Sequence, residues 1–278
     1  MSLSRAIAAR GTDAQTFTRR DLHLWMAGIL FAGNLPNILN IVDFWGFASV
    51  SIFQYLGWYA VIRLLYDSAP TRAASRVEIA FVVALFLVDL LPGYRVLWLA
   101  ATTSTAFLLI TAGDDAKTRA GATVLAALAA QGLWGPIFFN LLSVPLLNAD
   151  AAIVGVALET TQNGIAWHGN VIELGNDKSL EVYNACSSFH NISLAMLCWV
   201  TLTKLERPNW VRSDFLVGAF ACVMMILFNA CRLYLMARNV DAFEYWHTGI
   251  GAEIFAVTAS ISIVAITRWG ASIGSRVA

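Results

Sequence analysis

Three residues in the last third of the chain bring chemistry that packing alone does not require: Cys186, Arg232 and His247. A thiol is a poor nucleophile until it ionises, and a neighbouring cation or base promotes that ionisation. A histidine can take the thiol proton and return one to a leaving amine. An arginine keeps its charge in a partly dry site and can bind a developing oxyanion. Brought together, the three form an acyl-transfer site able to open a peptide bond through a thioester. Singly, each has a plainer reading. A Cys in apolar sequence packs as a small hydrophobe, an Arg near a span end snorkels to the headgroups, and an interfacial His is an anchor. What decides between these readings is whether the chain delivers all three to one depth.

Composition defines the setting. The 278 residues are 58% hydrophobic and 13% charged, with zero net charge, whereas a soluble domain carries about 25% charged residues. Mean hydropathy is +0.65. Repeated apolar runs of about twenty residues make this an all-α polytopic membrane protein with about eight transmembrane helices. Ten Trp suit interfacial belts. The four cysteines, Cys186, Cys198, Cys222 and Cys231, show neither CxxC spacing nor a neighbouring His pattern. There is no basic tract or Gly-rich phosphate loop. The reading therefore includes no metal, no cofactor and no nucleic acid.

Residues 1–21 form a basic tail, read as cytoplasmic and retained. The first span, Leu22–Val42, is interrupted by Asn34, Pro36, Asn37 and Asn40 and is expected to be kinked or partly re-entrant. Stronger segments follow at Trp45–Tyr66, Val77–Leu91, Arg95–Ala112, Gly121–Leu147, Cys186–Leu202, Phe215–Ala237 and Trp246–Arg268. The one long connection is 148–184. Within it Ala151–Thr161 suits a short helix along the interface. Ile165 to Val182 alternates around His168-Gly169-Asn170 and Gly175-Asn176-Asp177, predicting a small β-meander before the sixth span. The whole of 1–278 reads as one integral membrane domain, with 185–268 as its catalytic spans.

Basic residues orient it. With eight spans and the N-terminus inside, the outer face receives only Arg95, Lys178 and Arg238, and fourteen other Lys and Arg fall inside. The 148–184 connection is then extracytoplasmic. Cys186 begins span six, Arg232 lies near the end of span seven and His247 begins span eight, all on that side.

The ordered set Ala185-Cys186-Ser187, Asn229-Ala230-Cys231-Arg232 and His247-Thr248-Gly249-Ile250-Gly251 resembles the exosortase/archaeosortase family. The motifs cover about residues 160–255. The resemblance implies a membrane cysteine protease/transpeptidase in the bacterial inner membrane. Its partners would be secreted proteins that end in a sorting motif, an anchor helix and a basic tail, with lipid around both. It implies Cys186 as nucleophile, Arg232 as transition-state stabiliser and His247 as general acid/base, with Asn229 a possible auxiliary. One departure is that the Gly the family usually has after Cys-Ser is absent, and Ser188-Phe189-His190 stands there. His190 falls one turn below Cys186, on its face if the helix is regular, and is a second possible auxiliary.

Asp89 and Glu253 are further candidates to orient His247 or Arg232, and Trp134, Trp167 and Trp246 to line a groove for a substrate helix. Helix-to-helix bonding and belt placement explain them equally well. The competing reading is a transporter or exopolysaccharide-export component in which Arg232, Glu253 and Asp89 line a path. A catalytically dead scaffold is a third. Paired broken spans and midplane charges mark transporters, and this chain has one interrupted span with its charges near one face.

Overall fold

A computed structural model describes residues 17–40, 48–69, 72–91, 93–175 and 178–277. Helices dominate: α1 (Arg19–Asn40), α2 (Ala48–Tyr66), α3 (Arg76–Asp89), α4 (Tyr94–Thr111) and α5 (Ala116–Ala129), which runs through a π-turn (Ala130–Trp134) into α6 (Gly135–Glu159). Three stretches are long and apolar enough to cross a membrane, namely Ala116–Glu159, Arg212–Met236 and Ile250–Gly270, and Arg95–Thr111 is a shorter apolar helix. The protein is a helical membrane protein. The other described helices fall short in length or composition.

The first span is not re-entrant as far as Asn40. Asn34 turns its Nδ2 back to the Leu30 carbonyl at 2.9 Å, so the helix runs on through it, while its Oδ1 finds no partner among the described residues. The end of that expected span and the start of the next, residues 41–47, lie outside the described residues.

The separate interfacial helix expected at Ala151–Thr161 is also replaced. The fifth span does not stop at Leu147 but continues as helix to Glu159, 44 residues from Ala116. The π-turn in its middle brings Gly132 under the Trp98 ring, where a Cβ would sit 2.2 Å from the indole. It also aims Gln131 at Gln54 of α2, 2.8 Å away. A π-turn re-aims side chains without ending the helix.

Past the apolar stretch, the end of α6 carries the expected meander. β1 (Ala166–His168), β2 (Val171–Glu173) and β3 (Ser179–Glu181) pair antiparallel in that order, with Trp167 opposite Ile172 and Ile172 opposite Leu180. Gly169 and Gly175 turn the chain at φ 58° and 74°, values that favour glycine. Trp167 lies over Gly155, where a Cβ would come 2.5 Å from its ring. Ile172, Leu180 and Val182 join Leu147, Val154 and Leu233 in an apolar cluster separate from the main core.

The chain then passes a 3₁₀ turn (Asn184–Cys186) into α7 (Ser188–Glu206), α8 (Arg212–Met236), α9 (Val240–His247) and α10 (Ile250–Val277). α7, α8 and α10 pack against one another. The expected last span from Trp246 is two helices. The Asn239 side chain caps α9, accepting from the Ala242 amide at 2.7 Å, and the chain breaks at Thr248-Gly249 before α10 begins. His247 therefore ends a short helix ahead of the last span.

Candidate active site

The start of α7, the end of α8 and the α9–α10 junction lie at one end of this three-helix packing, the end that carries the sheet. Cys186 precedes α7 by two residues, Arg232 is one turn from the end of α8, and His247 closes α9. Arg232 is near enough for its charge to act on both the Cys186 thiol and the His247 ring. The structure thus brings the three sequence-selected residues together.

Cys186 is 7% exposed and belongs to the apolar cluster beneath the sheet. Its amide donates to the Tyr183 carbonyl at 2.8 Å, closing the 3₁₀ turn. Its own carbonyl accepts from Asn229 Nδ2 at 2.8 Å, and the Asn229 Oδ1 meets Asn191 Nδ2 at 3.4 Å. Asn229 is buried and lies one helical turn before Arg232, so the Asn-x-x-Arg spacing presents both on one side of α8. It holds the Cys186 main chain.

Burial pushes the Cys186 thiol up from its ordinary range, and Arg232 only partly opposes this. Burial and the Arg232 charge together hold the half-buried His247 imidazole below its usual value. At neutral pH both are uncharged, a thiol and an imidazole that share Arg232 as a neighbour. The His247 ring stacks on Phe243, 4.8 Å between centroids.

Arg232 commits Nε to the Trp246 carbonyl at 2.9 Å and Nη2 to the His247 carbonyl at 3.1 Å. Nη1 hydrogen-bonds to none of the described residues, leaving N–H groups for a ligand.

The alignment expected of His190 is a correction. Ser187 is extended (φ −74°, ψ 141°) and caps α7, accepting from the Phe189 amide. Cys186 is thus outside the helix, and the i,i+4 relation that would have aligned His190 with it is not formed. His190 is exposed while Cys186 is buried.

Asp89 packs against Gly33 of α1, on α3, away from this site. Glu253 has no hydrogen bond or ion pair among the described residues. Trp134 donates to Thr102 at 3.2 Å, Trp167 packs over Gly155 in docking the sheet, and Trp246 stands edge-on to Phe255, 5.3 Å away.

One residue was missed. Asp150, buried on α6, accepts from the Ser187 hydroxyl at 2.9 Å, from the Ser188 amide at 3.0 Å and from the Ser188 hydroxyl. Its signal was present: a lone carboxylate in a long apolar run, costly there unless bonded. Ending the span at Leu147 put it in a loop and hid it.

The family model described as transmembrane exosortase (Exosortase_EpsH) matches residues 43–264. No curated protein and no solved structure matches the chain.

Proposed function

Because the chain belongs to the transmembrane exosortase family, matched over residues 43–264, we propose that it is a membrane cysteine endopeptidase/transpeptidase. In this reading it cleaves the C-terminal sorting signal of secreted, membrane-anchored proteins. The observation that carries it is the meeting of a buried thiol, a neutral imidazole and a guanidinium with a free Nη1 at one end of three packed helices.

The chemistry follows from those groups. Cys186 Sγ attacks the scissile carbonyl carbon as His247 takes the thiol proton, so the thiolate forms during attack rather than as a standing ion pair. The carbonyl oxygen becomes an oxyanion beside Arg232 Nη1. When the carbon–nitrogen bond breaks, the imidazolium protonates the departing amine and an acyl-thioester remains. An acceptor carrying an N–H or O–H then attacks, passing its proton to His247, and the thiol is regenerated.

The chain is placed in the bacterial inner membrane with eight spans, its site on the extracytoplasmic side. The partner is the substrate's anchor helix with the sorting motif before it. The basic-residue bias supports this orientation.

The test is Cys186→Ala beside Cys198→Ala, Cys222→Ala and Cys231→Ala, each assayed for processing of an anchored partner protein in membranes. Loss confined to Cys186→Ala is expected. Processing that survives in Cys186→Ala ends the thioester mechanism.

A further inference from the structure

Asp150 does more at this site than a helix cap needs. The first turn of an α-helix leaves N–H groups without partners and carries partial positive charge. A cysteine at such a mouth is ordinarily pushed toward its thiolate. Cys186 sits at the mouth of α7, with Arg232 adding a full positive charge from α8. Those two influences favour the thiolate, against the burial that raises the thiol.

The carboxylate of Asp150 enters at the same mouth from α6. It takes the Ser188 amide at 3.0 Å, one of the unpartnered donors, and both hydroxyls of Ser187 and Ser188. Asp150 is 6% exposed, so its charge is weakly screened by water. The bonded residues directly follow Cys186 in the chain, and Asn229 holds the Cys186 carbonyl from the opposite helix. The peptide from 186 to 188 is therefore gripped from two sides, by α6 and by α8.

We infer that Asp150 is a positioning residue for the nucleophile: it fixes the Cys186–Ser188 turn and sets a negative charge against that of Arg232 at the mouth of α7, adding to the burial that keeps Cys186 dormant until substrate arrives. The inference takes Cys186 as nucleophile from the function proposed above. The charges that bear on the thiol are Arg232 from α8, which favours ionisation, and Asp150 from α6, which opposes it. His247 from α9 is neutral. On the strand side, Glu181 is engaged by the Tyr183 hydroxyl at 2.7 Å. Dormancy has a chemical use, since thiolates are the forms that oxidise to sulfenic and higher acids. A nucleophile kept protonated meets oxidants in its unreactive form, and its proton leaves only when a carbonyl is in place to be attacked.

The experiment needs no substrate. In the full-length protein in membranes, with Cys198, Cys222 and Cys231 replaced by Ala, iodoacetamide labelling of Cys186 is followed from neutral to alkaline pH. Asp150→Asn removes the negative charge in the same shape. Its labelling midpoint is expected to fall, and neutral-pH labelling to rise about tenfold for each unit of that fall. Asp150→Glu restores the charge and is expected to keep the wild-type midpoint, which a purely structural role does not require. A midpoint in Asp150→Asn that stays put or rises overturns the inference, as does an Asp150→Glu midpoint that falls with it. If Asp150→Asn does not accumulate, the Asp150→Glu midpoint decides alone. Labelling reads the thiol directly, so this result stands apart from whether Cys186→Ala still processes a partner.

Discussion

Arg232 reaches the main chain of His247, not its ring: Nη2 donates to the His247 carbonyl at 3.1 Å while Nε donates to the carbonyl before it at 2.9 Å. The guanidinium thus clasps the end of α9 as two parallel N–H groups would clasp a carboxylate. It satisfies carbonyls that a helix end leaves without partners. One residue holds the His247 backbone and keeps a third nitrogen without a hydrogen bond to any described residue.

Arg232→Lys is accordingly expected to be crippled. A single ammonium lacks the planar fork that spans two adjacent carbonyls, and loss of one oxyanion donor costs about 10²–10³ in rate. Processing measured against equal amounts of membrane-inserted protein checks this. Near-normal activity in Arg232→Lys would reduce the residue to a headgroup anchor.

Asn229→Ala should lower both stability and activity. It leaves the buried Cys186 carbonyl without its donor, a loss of about 1–3 kcal/mol, and frees the turn that carries the thiol. Thermal unfolding in detergent, together with the rate of Cys186 labelling, reads both. Asn229→Asp is expected to be worse, since a carboxylate would face that carbonyl with no donor to offer.

The pH profile of processing should have an acid limb set by His247 and lying below the ordinary value of 6.5. The working form is the neutral imidazole. Burial and the Arg232 charge disfavour its protonation, so the rate holds as pH drops past 6.5 and fails only below it. Removing the charge with Arg232→Gln should move the limb back toward 6.5 in the residual activity. A limb that ignores this change would assign the titration to another group.

Gly155→Leu should lift the sheet from α6, because a Cβ there already lies 2.5 Å from the Trp167 ring. Overpacking of this kind costs about 1–3 kcal/mol. Limited proteolysis should then cut in 160–184 before any helix. Equal resistance in wild type and variant would mean that the sheet is held from elsewhere.

The sequence made some of this legible for simple reasons. Thiol, guanidinium and imidazole are scarce in apolar segments, so their positions at corresponding ends of consecutive segments stood out. The meander was readable because Ile172, Leu180 and Val182 alternate with polar residues between glycine turns. What escaped depended on local backbone geometry. Asn34 turns its Nδ2 to a carbonyl of its own helix. Ser187 stayed extended as a cap and thereby separated His190 from Cys186. Gly249, whose Cβ would meet the Tyr245 carbonyl at 2.9 Å, breaks the chain where apolar composition runs on. Asp150 was lost with the wrong helix end, since a helix leaving the apolar layer carries no compositional mark at its exit.

The helix from Ala116 to Glu159 has a further consequence. At 1.5 Å per residue its 44 residues span roughly 66 Å, about twice the hydrocarbon thickness of a bilayer. Asp150, on this helix, grips the turn that carries Cys186, so the thiol is tied to an element that also crosses the bilayer. Under the proposed function this predicts a ruler: a partner whose spacer between motif and anchor is lengthened or shortened by a few residues is expected to be cut poorly with every contact residue intact.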